Sequence, residues 1–499
     1  MKRSAGVIMH IASLPGKFGI GTFGKEAFEY VDFLTKTGLK YWQILPLGQT
    51  GYGDSPYQSF SAFAGNPYFI DFDILKEEGL LKNEEYLNEN YGDNEEYIDY
   101  GLLFDVKYKV LERAYENFKN SNNETIKEEY NNFVNENKSW LEDYSLYMAV
   151  KEHFNLSSWQ NWDEDIKKRE AAAMERYKEL LKDRIGFWNF IQYEFFKQWN
   201  NLKNYANKNG IMIIGDIPIY VAEDSADVWS DTDAYLIDKE TLKPTAVAGC
   251  PPDAFSATGQ LWGNPIYDWD YMEKDQYKWW IKRVSESLKL YDVVRIDHFR
   301  GFESYWQIPY GDDTAINGKW VKGPGMKLFN AIKEAKGEIN VIAEDLGFLT
   351  QEVIDFLNES GFPGMKVLQF AFDEREESNY LPHTYNENSI AYTGTHDNDT
   401  FRGWFDTTGS KSDVDYCIRY LALTEEEGYN WGFIRGAWSS VSNTSIALMQ
   451  DFLNLGNETR INLPSTLGLN WKWRAKAGSY DDELAHRIYK YTKMYGRCE

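Results

Sequence analysis

Short apolar runs rich in β-branched residues recur along the chain, each followed by turn residues and a stretch with helical periodicity. Runs such as IMIIGDIPIYV and YWQILPL are almost continuously apolar, which is typical of parallel strands covered on both faces. We therefore predict an α/β fold, a (β/α)8 TIM barrel, with an open doubly wound sheet as the alternative. The predicted strands are Gly6–Ile11, Tyr41–Leu47, Ile211–Val221, Asp292–Phe299, Ile339–Gly347, Met365–Phe372, Ser389–Thr395 and Thr459–Leu463. The predicted helices are Lys25–Thr37, Asp275–Leu290, Gly325–Lys336, Thr350–Glu359 and Ser442–Leu453.

Two intervals are too long to be simple connections between neighbouring barrel strands. Residues 72–190 are rich in Glu, Lys, Asn and Tyr and show helical periodicity, so we expect a largely helical insertion between strands two and three. Residues 222–274 are rich in Pro, Gly and Trp, which is typical of irregular loops over one face of a barrel, here between strands three and four. We expect residues 1–499 to form a single domain, with a tail too short for a C-terminal β-sandwich.

Charge and aromatic content narrow the range of ligands. The formal net charge is -25, from 78 acidic and 53 basic residues, and such a field disfavours nucleic acids and anionic membranes while leaving neutral substrates unaffected. The chain also contains 18 Trp, 35 Tyr and 29 Phe, enough both to fill a large core and to line a groove for sugar rings. Composition alone does not decide between these two uses.

The cysteines and the N-terminal segment predict a cytoplasmic protein. Cys250, Cys417 and Cys498 are far apart and form no C-x-x-C pair, as expected in a reducing compartment. The opening segment MKRSAGVIMHIASLPG is too short in its apolar part and too polar for a secretory signal. No run of about 18 apolar residues predicts a membrane span.

Carboxylates stand at or just beyond the ends of four predicted strands. A single one is most simply a helix N-cap. Four strands ending this way, with histidines beside them, indicate an active site, because the C-terminal strand ends of a barrel meet on one face. The residues are Asp216 in IIGDIPIYV, Arg295 and Asp297 in VVRIDHFRGF, Glu344 and Asp345 in VIAEDLG, Asp397 and Asp399 in TGTHDND, and the histidines His10, His298 and His396.

The spacing of these charges favours glycosyl chemistry. Arg295 lies two positions before Asp297, on the same strand face, where a guanidinium would keep Asp297 ionised as a nucleophile requires. Glu344 would face like charges in a closed site, which raises its pKa and suits a proton donor near neutral pH. Two carboxylates with opposed protonation indicate glycosyl transfer or hydrolysis.

Metal binding by the same acids is the main alternative. The chain has no D-x-D-x-D-G calcium loop, no H-E-x-x-H pattern, no Walker A loop and no G-x-S-x-G elbow. The segment Gly19–Gly24 matches G-x-G-x-x-G, but a loop separates it from the strand and no acidic residue follows at the distance that a dinucleotide site needs. We therefore expect no metal and no cofactor.

Longer phrases around these residues resemble a known family. RIDHFRGF, VIAEDLG and TGTHDND resemble the catalytic segments of the α-amylase clan of glycoside hydrolases. LPLGQTGYGDSPYQSFSAFAGNPYFID, GDIPIYVAEDSADVW, VAGCPPDAFSATGQLWGNPIYDW and NWKWR resemble the amylomaltase family of 4-α-glucanotransferases, called disproportionating enzyme in plants. The resemblance runs from Arg3 to Arg474, is weakest across 72–210, and implies a barrel without the clan's C-terminal β-sandwich.

The resemblance also implies roles for individual residues. Asp297 matches the nucleophile that forms a covalent glycosyl intermediate, Glu344 the general acid/base, and Asp397 the third acid, which holds sugar hydroxyls. The implied substrate-binding residues are Asp216, Arg295 and His396 at the cleaved bond, Tyr52, Asp54, Ser55 and Tyr57 on the donor side, Trp262, Gly263 and Asn264 on the acceptor side, and Phe255 and Ser256 in the loop Cys250–Ser256, which closes over the glucan.

The implied reaction is retaining transfer of α-1,4-glucan segments from a donor maltooligosaccharide to the 4-hydroxyl of an acceptor glucan or glucose, with the two carboxylates ~5–5.5 Å apart. The chain departs from the pattern at Ala254, where many members carry a bulky aromatic beside Phe255, which predicts weaker gripping of the glucan. Two alternatives remain open at this point. An α-glucan hydrolase would share all three acids, whereas a non-catalytic glucan-binding barrel normally lacks one of them.

Overall fold

Eight parallel strands form a ring around which the rest of the chain is arranged. The computed structural model describes residues 2–252, 256–347, 349–373, 375 and 378–498. The barrel strands, numbered one to eight below, are Ser4–Ile8, Tyr41–Gln43, Met212–Ile217, Val293–Ile296, Val341–Ala343, Gly364–Val367, Ser389–Tyr392 and Thr444–Leu448. The strands pair in the order six, seven, eight, one, two, three, four and five, so that strand eight pairs with strand one and strands five and six stand at the two ends. Between strands five and six, Ala343 N donates to Pro363 O at 3.0 Å. The predicted (β/α)8 barrel is confirmed.

The predicted eighth strand, Thr459–Leu463, is wrong. That segment is loop with a 3-10 turn at Asn457–Thr459, and the eighth strand is Thr444–Leu448, within the stretch we predicted as a helix. All five residues of Thr444–Leu448 are buried, as a strand covered on both faces requires. The short helix Met449–Phe452 follows it directly, so the apolar run continues from strand into helix and periodicity could not separate them.

The barrel interior is filled by side chains from all eight strands. Members of this cluster include Ile214, Ile342 and Ile390 at 0% exposure. The opposite face of each strand belongs to a second, larger core that lies under the helices. Helices between successive strands include Lys25–Thr37, Lys182–Lys208, Lys278–Leu290, Met326–Lys336, Gln351–Ser360, Lys411–Leu421 and Tyr429–Trp438, and the helix Asp482–Met494 follows strand eight. In the part of the chain that the structure describes, only 3-10 turns connect strands six and seven.

Most of the chain between strands two and three is helical. The helices there, before Lys182–Lys208, are Phe72–Glu77, Asn83–Tyr86, Tyr100–Asn120, Glu124–Glu136, Lys138–His153, Glu164–Lys167 and Ala171–Leu180. Their contacts are largely aromatic, as where Tyr144 lies edge-on to Trp188 with ring centroids 6.1 Å apart. Such pairs bury large apolar areas. Among the described residues, no helix anywhere in the chain is long and apolar enough to cross a membrane.

The chain between strands three and four contains more regular structure than its composition suggested. It has helices at Ala226–Ser230 and Trp269–Lys274 and strands at Ala246–Cys250 and Gln260–Pro265. These two strands join Ser304–Pro309 and Lys319–Lys322, from beyond strand four, in a four-stranded antiparallel sheet. We call it the small sheet. The pairing of Ala246–Cys250 with Ser304–Pro309 joins segments far apart in the sequence and leaves no local signal.

Close packing at Gly21 and a buried cation at Arg497 are two further features of the fold. A Cβ on Gly21 would lie 1.8 Å from the carbonyl oxygen of Ile11, so close packing accounts for a glycine of the G-x-G-x-x-G match. At the seam between strands eight and one, the fully buried Arg497 donates to Ser4 O at 2.8 Å and to Ser442 O at 3.1 Å. Burial lowers the pKa of Arg497 to about 9, so it stays cationic at neutral pH.

Candidate active site

The acidic residues at the ends of strands three, four, five and seven lie on one end of the barrel. Asp216 is in strand three, and its register partner in strand four is Arg295. Asp297 follows strand four directly, and its backbone N–H donates to Ile217 O of strand three at 2.9 Å. Glu344 follows strand five directly, and its N–H donates to Ile296 O of strand four at 3.1 Å. Strand pairing therefore fixes the backbone positions of three of these acids.

Arg295 joins two of the carboxylates. Its Nη1 lies 2.5 Å from Asp216 Oδ2 and 3.1 Å from Asp297 Oδ1. Tyr57 OH donates to the same oxygen of Asp216 at 2.9 Å. Burial opposes the charge of Arg295, but the carboxylates of Asp216 and Asp297 raise its pKa well above the ordinary value. The guanidinium is therefore a permanent cation beneath Asp297.

Neighbouring charges shift the pKa of Asp297 in opposite directions. Burial raises its pKa to about 6, the Arg295 cation acts to lower it, and the charges of Asp216 and Asp397 act to raise it further. The carboxylate is thus ionised at neutral pH but only weakly stabilised. A carboxylate in this state is a better nucleophile than one fully solvated or tightly paired.

The pKa of Glu344 is also shifted by opposing effects. Its Oε2 accepts from His298 N and its Oε1 from Leu346 N, both at 2.7 Å, which favours the anion. Burial and the charge of Asp297 outweigh those bonds and raise the pKa of Glu344 to about 7. His298 has φ of 51°, the left-handed region, which side-chain-bearing residues rarely adopt and which often marks active sites. Near neutral pH a proton therefore resides preferentially on Glu344 rather than on Asp297.

Asp397 lies in a more open environment. Its side chain is 44% exposed, and its Oδ1 lies 3.3 Å from His396 Nε2. Asn462 Nδ2 donates to the same oxygen at 2.6 Å, and Asn462 N donates to His396 O at 3.0 Å. Sequence reasoning missed Asn462 because we had predicted a strand over that segment.

The predicted donor-side residues divide into two groups. Tyr57 stacks on His396 with ring centroids 5.2 Å apart and 19° between the planes, which places it among the acids. Ser55 Oγ accepts from Tyr57 N at 3.3 Å, and Asp54 has φ of 60°, so both shape the turn that presents Tyr57. Tyr52 is fully exposed on the same turn. The structure therefore brings Tyr57 to the carboxylates but leaves Tyr52 at the rim.

Two further aromatic residues lie near His396, of which Trp471 was not predicted as a site residue and His10 was noted only for its position at a strand end. Trp471 packs against both rings, with centroids 5.8 Å and 5.9 Å away. His10 is buried, accepts a hydrogen bond from Leu45 N at 3.3 Å, and has its pKa lowered to about 3 by burial and by His396. In the sequence, Trp471 was marked only by the NWKWR phrase, and His10 only by its position at a strand end.

The predicted acceptor-side residues lie on the small sheet. Trp262 stands edge-on to His298 with ring centroids 4.8 Å apart. Asn264 accepts from Gln58 Nε2 at 3.2 Å and donates to Val221 O at 2.8 Å, so it anchors the strand. Gly263 between them has φ of 78°, a conformation that favours glycine. Ser256 Oγ donates to Gly259 O at 2.7 Å, whereas Phe255 and Ala254 lie outside the described residues.

The site contains two neighbouring acids with raised pKa values, Asp297 and Glu344, and a third, more exposed acid, Asp397. Among the residues that the structure describes, no group of three or more His, Cys, Asp and Glu side chains is arranged to hold a metal ion. The arrangement of the carboxylates fits acid catalysis combined with nucleophilic attack at an acetal carbon.

Comparison with known proteins decides the family. The family model described as 4-alpha-glucanotransferase matches residues 9–479. The chain belongs to this family. A curated 4-alpha-glucanotransferase of Clostridium butyricum is 62% identical over 98% of the chain and 100% of its own length. One from Streptococcus pneumoniae is 51% identical over 99% of the chain and 98% of its own length. The predictions of the family and of a 4-α-glucanotransferase are confirmed.

A solved structure agrees with the curated relatives. The amylomaltase from Streptococcus agalactiae, determined in complex with acarbose, superposes with a TM-score of 0.96 at 44% sequence identity, covering 99% of this chain and 100% of that one. The amylomaltase from Corynebacterium glutamicum shares the fold with a TM-score of 0.80 at 17% identity. The barrel and its elaborations are thus those of the family.

Proposed function

We propose that this 4-α-glucanotransferase works by a retaining mechanism with a covalent glycosyl–Asp297 intermediate, moving α-1,4-glucan segments between maltooligosaccharides. The observation that carries the proposal is the placement of Asp297 and Glu344 at the ends of neighbouring strands, with Arg295 Nη1 3.1 Å from Asp297 Oδ1 and two backbone N–H groups bound to Glu344. The higher pKa of Glu344, about 7 against about 6 for Asp297, agrees with it. A nucleophile must be an anion while the acid beside it still holds a proton.

In the first step, Glu344 transfers its proton to the glycosidic oxygen as Asp297 attacks the anomeric carbon. The bond between the anomeric carbon and that oxygen breaks, the protonated end leaves as glucose or a shorter glucan, and a bond to Asp297 forms. In the second step the Glu344 carboxylate takes the proton from the 4-hydroxyl of an acceptor, and this oxygen displaces Asp297. Two inversions give net retention of the α-linkage.

The remaining polar groups would bind the sugar at the cleaved bond. Asp397 accepts hydrogen bonds from hydroxyls and stabilises the positive charge that develops on the ring. His396 donates beside it, and Tyr57 forms the wall of this subsite. Arg295 and Asp216 stay beneath the sugar and fix the orientation of Asp297, since both are already paired in the barrel.

Transfer requires an acceptor to outcompete water at the intermediate. Trp262, held against His298, supplies a flat apolar surface on which an acceptor ring can stack close to Glu344. We assign this control to the aromatic loop 250–271 within the loop-rich insertion 222–274. We treat residues 1–499 as one catalytic domain that also carries the helical insertion 72–190. Glucose and glucans serve as acceptors on this view.

The test is incubation of the pure protein with maltotriose, followed by separation of products by length. Transfer gives glucose together with oligomers longer than the substrate. Asp297→Asn should abolish both products, whereas Tyr489→Phe, which alters a side chain on the outer helix Asp482–Met494, should leave them unchanged. Release of glucose and maltose alone would instead identify a hydrolase, and a ladder that persists in Asp297→Asn would exclude the proposed nucleophile.

A further inference from the structure

Arg460 uses all three of its guanidinium nitrogens within the protein. Nε donates to Asn462 O at 2.8 Å, Nη2 donates to Asp397 O at 2.5 Å, and Nη1 donates to Asp399 Oδ1. The partners lie in two loops, one following strand seven and the other following strand eight. A planar group with fixed donor directions therefore sets the spacing and the angle between these loops.

Asp399, the ionic partner, is itself tied to the scaffold. Thr408 Oγ1 donates to Asp399 Oδ2 at 2.6 Å, and Gln369 Nε2 donates to Asp399 O at 3.0 Å. The side chains of Arg460 and Asp399 are only 20% and 14% exposed. A shielded ion pair within a hydrogen-bond network of this kind holds geometry better than a surface ion pair, whose contribution is small.

The arginine reaches Asp397 by two routes. Directly, it holds the backbone carbonyl of Asp397. Indirectly, it binds the backbone carbonyl of Asn462, whose side-chain Nδ2 donates to Asp397 Oδ1 at 2.6 Å. The Asp397 side chain is 44% exposed, and these contacts fix its carboxylate where burial alone would not.

We propose that Arg460 is a positioning residue that fixes the Asp397 carboxylate for the transition state. This inference rests on the proposed function, in which Asp397 must be held in one orientation to stabilise the transition state. Arg460 acts only through Asp397, Asp399 and Asn462. Its loss should therefore slow the chemical step more than it weakens binding of the ground state.

The test measures kcat and KM for maltotriose disproportionation in Arg460→Ala, Arg460→Lys and Asp399→Asn. A misplaced catalytic group costs about 100-fold in rate, so we expect kcat to fall by about that factor in Arg460→Ala with KM changed less than about threefold. Arg460→Lys should recover little, because an ammonium cannot reproduce the planar fork. Added guanidinium ion should restore part of kcat in Arg460→Ala, and Asp399→Asn should lower kcat in the same direction.

Arg402→Ala is the matched control. Arg402 Nε lies 3.3 Å from Asp406 Oδ2, and its Nη1 donates to Asn454 O, but its side chain is 53% exposed and it does not touch Asp397 or Asn462. This variant should keep wild-type kcat. A second readout is the double variant Arg460→Ala/Asn462→Ala, whose loss should be smaller than the product of the two single losses because both act through Asp397.

Three results would overturn the proposal: unchanged kcat in Arg460→Ala, a rise in KM alone, or losses in the double variant that simply multiply. Should Arg460→Ala fail to fold, Arg460→Lys and Asp399→Asn carry the same test. Failure of the wild-type protein to elongate maltotriose is a different outcome, since it would contradict the proposed function before Arg460 is considered.

Discussion

Strands three to five and strands seven and eight carry the same residue types to the same end of the barrel, but they hold them differently. On the first side, Glu344 is 9% exposed and the Asp297 side chain 31%, and both groups have raised pKa values. On the second side, Asp397 is 44% exposed and is fixed by hydrogen bonds from Asn462 and by contacts of Arg460 with its backbone.

The difference shows how one face of a fold can give carboxylates distinct tasks. Burial makes protonation adjustable, which suits groups that exchange protons or form bonds to carbon. Hydrogen bonding in a more open position leaves an anion that serves as a fixed charge. The predictions below test whether the two sides differ in this way.

The largest effect should come from Glu344→Gln on the buried side. General acid catalysis contributes roughly 10²–10⁴-fold, so transfer from maltotriose should fall by a factor in that range. A donor such as α-maltosyl fluoride has a leaving group that needs no proton, and formation of the intermediate from it should fall far less. Initial rates with both donors check this. Equal losses with the two donors would contradict the role of proton donor.

Asp397→Asn on the open side should lower kcat by about 10²–10³-fold, the range for removing one electrostatic contact to a transition state. It should also shift the pH profile, because the charge of Asp397 raises the pKa of Asp297. With that charge removed, the acid limb should move below its wild-type position. The pH dependence of kcat/KM in the variant measures this, and an unmoved limb would mean that the two sides are electrostatically independent.

The wild-type pH profile of kcat/KM should be a narrow bell. Asp297, with a pKa of about 6, becomes protonated below that pH and stops attacking, and Glu344, with a pKa of about 7, loses its proton above it and stops donating. Activity should therefore fall about tenfold per pH unit on each side. In Glu344→Gln the alkaline limb should disappear while the acid limb remains. A broad plateau from pH 5 to 9 would contradict the opposed protonation.

The smallest effect should come from Tyr100→Phe, which tests the support behind the open side. Tyr100 OH donates to Trp471 O at 2.9 Å, and Trp471 has φ of 66°. Loss of one buried hydrogen bond should lower the free energy of unfolding by about 1 kcal/mol, measured by urea denaturation. The pH limbs should stay in place because Tyr100 does not contact the buried acids. A shifted limb would mean that the helical insertion controls them too.

The sequence supported the barrel and the buried side better than the open side, for physical reasons. Strands three to five are continuous apolar runs that end in charges, so both the strand and its functional end are visible in the pattern. The open side depends on Arg460 and Asn462, which lie in a loop without periodicity, and on Thr444–Leu448, whose apolar run continues into a helix. The small sheet was also missed, because Gly249 pairs with Trp306 from a distant segment.

The seam closed by Arg497 has a consequence for the order of assembly. This residue contacts Ser4 across 493 positions of sequence, so the contact forms only after nearly the whole chain has collapsed. Until then strands one and eight are unpaired edges, and unpaired edges template association between chains. Refolding from denaturant should therefore lose yield steeply as protein concentration rises, even though the finished barrel has no open edge at this seam.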